Sequence, residues 1–157
     1  MFGGVKISTV ASQLYAAVKL QAHNNDLATT IREALDSVYA SLRARHVTKL
    51  GHSIVVYHGD ADRDLLTEPK GLTIEAGVFL PALIANDGTV SVLRSPSGDA
   101  ARYLHRGPYD KLPDAHMRVR KFCSKKGREI TGLNWEIYGD WNTDPKRLTT
   151  EVFYQLR

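Results

Sequence analysis

The chain has 157 residues, 43% of them hydrophobic and 24% charged, with 21 Lys and Arg against 17 Asp and Glu. These proportions exclude a disordered or collagen-like class, and a chain of this length buries enough surface to fold as one domain without a disulfide or a structural metal. The single cysteine, Cys123, excludes an internal disulfide, and the longest uncharged apolar-rich stretch, Ala76 to Asn86, is too short to span a bilayer.

Residues 1–10 (MFGGVKISTV) lack the apolar core and cleavage signal of a secretory leader, so a cytoplasmic location is expected. Residues 5–10 and 13–21 read as two strands, the second with Leu14, Ala16, Val18 and Leu20 alternating. Asn24, Asn25 and Asp26 give a helix-start signal. Leu27, Ile31, Ala34, Leu35, Val38 and Leu42 then follow at intervals of three and four, an amphipathic helix ending near Arg45. A strand at Ser53–Tyr57, an acidic loop (HGDADRD) and a strand at Leu72–Leu80 follow. Pro81 to Ser97, with the turn Asn86-Asp87-Gly88, reads as a connector.

Beyond it, Ala100–Arg106 reads as a strand and Gly107-Pro108-Tyr109-Asp110 as a turn. Leu112, Ala115, Val119, Phe122 and Cys123 form a second helical stripe with Gly127 as its stop. Trp135–Tyr138 and Leu148–Leu156 are strands flanking a turn-rich loop. The order repeats: Ala16-Ala17 with Leu20 matches Ala100-Ala101 with Leu104, Ser53–Tyr57 matches Asn134–Tyr138, and Leu72–Glu75 matches Leu148–Glu151. The expected fold class is α+β, a tandem duplication of a strand–strand–helix–strand–strand unit with half-repeats at about 5–80 and 98–157. Antiparallel sheets would carry one long helix per half, with a ligand cleft between the halves.

Glu136 is the most informative side chain. It stands mid-strand among large apolar groups, where its repeat counterpart is Val55. A buried carboxylate needs compensation. Two readings stand: a structural ion pair or solvent-facing edge position, or a countercharge for an organic cation held among rings. By the period of two, Glu136 shares a face with Asn134 and Tyr138, and Tyr57 holds the corresponding face of the other half. Tyr57, Phe79, Tyr103, Trp135, Tyr138, Phe153 and Tyr154 fall on strands, and Trp141 lies in the loop after Glu136.

Other chemistry is weaker. His58, Asp60, Asp62 and Asp64 alternate like a calcium loop, but Leu65 stands where glycine is needed and Gly71 where glutamate is needed, which leaves a solvated turn. No histidine spacing fits zinc, so no metal and no cofactor are expected. Cys123 sits on a helical apolar stripe as a small core residue. Ser95, Ser97 and His105 form no nucleophile motif, and no glycine-rich phosphate loop occurs. The basic run Arg118 to Arg128 places its cations opposite that stripe as a solvated helix face. Without interleaved aromatics, no direct DNA binding is expected.

Residues 101–112 (ARYLHRGPYDKL), Trp135–Tyr138, Thr143-Asp144-Pro145 and Leu148–Val152 resemble the GyrI-like small-molecule-binding domain, the effector-binding domain of AraC- and MerR-type regulators. Val55–His58 and Glu75–Val78 carry the likeness into the first half. The resemblance implies a duplicated fold with a cleft for hydrophobic, often cationic or aromatic compounds. It places the family's acidic residue at Glu136 and its aromatic lining at Tyr57, Phe79, Tyr103 and Tyr138, with Trp135 and Trp141 beside them. The favoured function is a stand-alone binding protein for such compounds. The alternatives are a hydrolase of strained cyclopropane-containing, DNA-alkylating natural products using Glu136, Tyr57 and Tyr103, and a protein-interaction module such as a DNA gyrase-binding inhibitor.

Overall fold

A computed structural model of the protein describes residues 4–157; Met1 to Gly3, part of the segment read as lacking a leader, lie outside the described residues. Eight strands and two long helices follow in the order β1 (Lys6–Val10), β2 (Leu14–Ala22), α1 (Leu27–Ala44), β3 (Ser53–His58), β4 (Leu72–Phe79), β5 (Ser91–Arg94), β6 (Gly98–Arg106), α2 (Leu112–Lys125), β7 (Ile130–Tyr138) and β8 (Thr149–Leu156). The class is α+β. Ala34, Val38 and Leu42 are the buried stripe of α1, and Leu112, Ala115, Val119, Phe122 and Cys123 that of α2. Asp26 caps α1 by position, but its carboxylate accepts from the His23 N–H, 2.7 Å away, rather than from the helix. Gly127, at φ +67, ends α2 in the left-handed conformation, with the Arg128 N–H returning to the Cys123 carbonyl.

The strands form one antiparallel sheet in the order β1-β6-β8-β7-β3-β4-β2-β5. Exchanging β1–β4 with β5–β8 and reversing the list reproduces it, so the sheet has an internal two-fold arrangement centred between β3 and β7. Around that centre Val55 pairs with Glu136, and Ile54↔Ile137 mirrors Val56↔Trp135. Each half sends its leading strand to the other: β1 pairs with β6, and β5 with β2. The stretch read as a connector therefore contains β5, the counterpart of β1, which carries the second half back to Ser91. One repeat match is also shifted. Ile7↔Ala101 recurs as Val92↔Ala16, so Ala16 corresponds to Ala101 and not to Ala100. With a period of two, that single step decides the face: Ala16 and Ala101 lie under the helices, Ala17 and Ala100 on the opposite side.

The connections force the sheet to curl. β1 and β2 stand six strand spacings apart in the order, about 29 Å if flat, yet the chain between Val10 and Leu14 reaches roughly 14 Å. The β5–β6 link is as short, and the two links are tied by Ser95 N–H to the Gln13 carbonyl and Gln13 N–H to Ser95 Oγ, both 2.8 Å. Curling encloses one face. There Tyr15, Ala17, Ile54, Val56, Ala100, Trp135 and Phe153 form a core joined by Val10, Phe79, Leu93, Leu133 and Ile137, so every strand contributes. The outer face carries both helices, α1 over β2 and β4 and α2 over β6 and β8.

Where β2 and β4 run side by side, a Cβ on Gly77 would lie 1.9 Å from the Ala16 carbonyl oxygen, with more backbone behind it. Gly77→Ala is expected to destabilise the fold by about 2–3 kcal/mol, lowering the midpoint of thermal unfolding by roughly 5–10 °C, as calorimetry would read it. Among the described residues no helix is long and apolar enough to cross a membrane.

Candidate functional site

α1 and α2 leave a cleft between them above the β3–β7 junction, a cavity of about 1200 Å³. It is larger than the roughly 300–1,000 Å³ usual for drug-sized ligands. Leu27, Ile31 and Leu35 of α1 form one wall, and Leu112, His116 and Arg120 of α2 the other. The floor is the two-fold centre of the sheet, where Glu136 is 3% exposed. Tyr57 and Tyr138, counterparts in the two halves, donate their hydroxyls to Glu136 Oε1 at 2.5 and 2.6 Å. His116 Nε2 lies 2.7 Å from Glu136 Oε2, and His116 Nδ1 lies 2.7 Å from the Tyr154 hydroxyl. The result is a continuous chain from Tyr154 through His116 to the carboxylate and its two phenols.

Rings brace this chain. The His116 ring meets Tyr57 and Tyr154 edge-on at 6.2 and 5.5 Å, and Tyr109 packs edge-on against Tyr138 at 5.6 Å. The Arg120 guanidinium sits 5.8 Å above the Tyr154 ring. At the rim Tyr109, Met117 and Trp141 are exposed, Trp141 by 72%.

The electrostatics follow from burial and partners. Burial alone would raise the Glu136 carboxyl, but the hydrogen bond and charge of His116, with the two phenol donors, outweigh it and hold the group below its ordinary value of 4.5. Burial, and next the charge of Glu136, push Tyr57 and Tyr138 well above the usual phenol range, so both stay protonated donors. A carboxyl held below its unfolded value stabilises the fold above about pH 4.5, and that contribution is lost as pH falls through the folded value. Glu75, lowered chiefly by its hydrogen bond to His58 against burial, acts with the same sign. Asp87, held at about 2 chiefly by the Val90 N–H and the Ser41 hydroxyl, adds to it. Urea stability is therefore expected to fall more steeply on acidification in the wild type than in Glu136→Gln, which keeps the Glu75 and Asp87 shares but loses that of Glu136.

Of the residues singled out in the sequence, the structure brings Glu136, Tyr57, Tyr138 and Trp141 to the cleft and takes three elsewhere. Trp135 faces the enclosed side of the sheet, stacked on Phe153 with centroids 5.0 Å apart. Phe79 lies on the same side, edge-on to Tyr15. Tyr103 packs beneath α2 beside Val5 and Ala101, with the Arg118 guanidinium 5.2 Å over its ring. His116 and Arg120 were not singled out. The signal for His116 was available: it follows Ala115 at the shoulder of the apolar stripe, where the matching position of α1, after Ala34, is Leu35. Among the described residues no group of three or more His, Cys, Asp or Glu could hold a metal ion.

Residues 4–157 match the model of the GyrI-like small molecule binding domain, and the chain belongs to that family. No curated protein sequence matches it. Among solved structures, the EcmrR C-terminal domain superposes with a TM-score of 0.78 at 16% identity, covering 98% of this chain and 96% of that one. SAV2435 bound to tetraphenylphosphonium gives 0.65 at 12%, covering 98% and 93%. A hydrolase from Listeria innocua gives 0.64 at 10%, covering 98% and 91%. At these identities the likeness is one of fold.

Proposed function

We propose that the cleft binds a flat or globular hydrophobic cation, with Glu136 as its countercharge and Tyr57, Tyr138 and Trp141 as its ring contacts. One observation carries the reading: an almost fully buried carboxylate, bonded by an imidazole and two phenols, lies at the floor of a cavity walled by apolar and aromatic side chains. In such a site a charge acts through little water, and ring faces add attraction for a cation. The net +4 of the chain does not oppose this. The cleft itself is lined by Asp36, Asp60, Asp64, Asp110, Asp140 and Glu136 against Arg32, Arg63 and Arg120, so its local balance is acidic.

Binding is favoured over water activation because Glu136 has donors on both oxygens and is held at low basicity, the opposite of a general base tuned for neutral pH. Tetraphenylphosphonium and tetraphenylborate, alike in shape and opposite in charge, test the reading by titration calorimetry. The cation should bind at least about 30-fold more tightly, the equivalent of roughly 2 kcal/mol for a desolvated charge contact. Equal affinities would remove the electrostatic basis of the proposal.

A further inference from the structure

We infer that His116 is a built-in rival of the ligand for Glu136, so that binding of an organic cation is coupled to release of a proton from its imidazole. The inference rests on the cation-binding reading and adds to it a regulation of the same site. Its basis is the chain of hydrogen bonds. With a neutral ring, Nε2–H donates to Glu136 and Nδ1 accepts from the Tyr154 hydroxyl. With a charged ring, Nε2–H still donates to Glu136 and Nδ1–H donates to the Tyr154 oxygen. Tyr154 serves as donor in one state and acceptor in the other, so the same heavy-atom positions serve both.

Protonation therefore changes charge without requiring movement. The neutral ring leaves the floor of the cleft with one net negative charge, and the imidazolium cancels it. An arriving cation meets an attractive carboxylate in the first state and a compensated pair in the second. Linkage then makes the effects reciprocal: protons weaken the cation's binding, and the cation drives the proton off.

The surroundings single out this ring. Facing it are Glu136 and Tyr138 from β7, Tyr57 from β3, Tyr154 from β8 and, one turn on in α2, Arg120. The phenols named keep their protons, Arg120 keeps its charge, and Glu136 stays ionised above its ordinary range. The other cleft histidine, His52, lies 3.0 Å from Asp140 with its side chain 54% exposed, a screened pair on the margin.

Tetraphenylphosphonium, which carries no titratable group, is the probe. Its affinity should fall, by up to about tenfold per pH unit, as acidification protonates the ring. Calorimetry in buffers of different ionisation enthalpy should show up to one proton released per cation. His116→Gln, whose amide can donate to Glu136 and accept from Tyr154, should abolish both the slope and the proton release, while His52→Asn should leave both intact. A flat wild-type profile with no proton exchanged, or a slope that survives in His116→Gln, would overturn the inference and leave cation binding standing. Failure of the phosphonium to bind at any pH would overturn the cation reading and this inference with it.

Discussion

Glu136→Gln should weaken tetraphenylphosphonium binding by about 30-fold or more while changing the melting temperature by only a few degrees. The first figure reflects loss of a desolvated charge, worth roughly 2–5 kcal/mol to a cation in contact with it. The second follows from the hydrogen bonds. The glutamine carbonyl can accept from Tyr57 and Tyr138 as Oε1 does now, and its amide can donate to His116 Nε2 once the imidazole takes the other tautomer and donates from Nδ1 to Tyr154. Glu136→Leu, in contrast, would strand two buried phenols and an imidazole. Measured together, calorimetric affinity and thermal unfolding separate a ligand countercharge from a structural acid. Intact phosphonium affinity in the folded Gln variant would make Glu136 a structural residue.

Trp135→Ala should have the opposite profile. Trp135 is 1% exposed, its ring parallel to Phe153, which carries the Arg102 guanidinium 5.1 Å from its centroid. Emptying that place is expected to cost about 3–5 kcal/mol and roughly 10 °C in thermal unfolding, with phosphonium affinity per folded molecule unchanged. A variant that melts normally but loses the ligand would return Trp135 to the cleft.

The difference between these adjacent residues shows what the sequence could reveal. Alternation along Asn134-Trp135-Glu136-Ile137-Tyr138 sets Glu136 and Tyr138 on one face and Trp135 on the other. The same parity along β4 sends Phe79 away from Ile74, Ala76 and Val78. The family resemblance sets Phe79 in the cleft lining with Trp135 beside it, and strand parity puts both on the enclosed face instead. Tyr103 is a different case. Its face is the helical one, but β8 separates its strand from β7, and only the sheet order, set by long-range pairing, puts α2 between it and the cavity.

The helices were legible because their stripes are local. β5 was not, being four residues long at a sheet edge between turn residues. The early part of β7 was hidden by Gly132, at φ +103, where the register with β8 shifts. The place of His116 at the shoulder of the α2 stripe marks it as unusual, but pairing it with Glu136 needs the crossing of α2 above β7, which no spacing within the helix supplies.

The central pairing of Val55 with Glu136 has a consequence for what a single chain makes possible. Were the two halves identical, whatever stood at one of these positions would stand at both. A glutamate would then meet its own copy across the strand pair, two like charges competing for the same phenols and disfavouring joint ionisation. Covalent linkage of unequal halves allows a lone acid to occupy the midpoint, with valine as its silent twin.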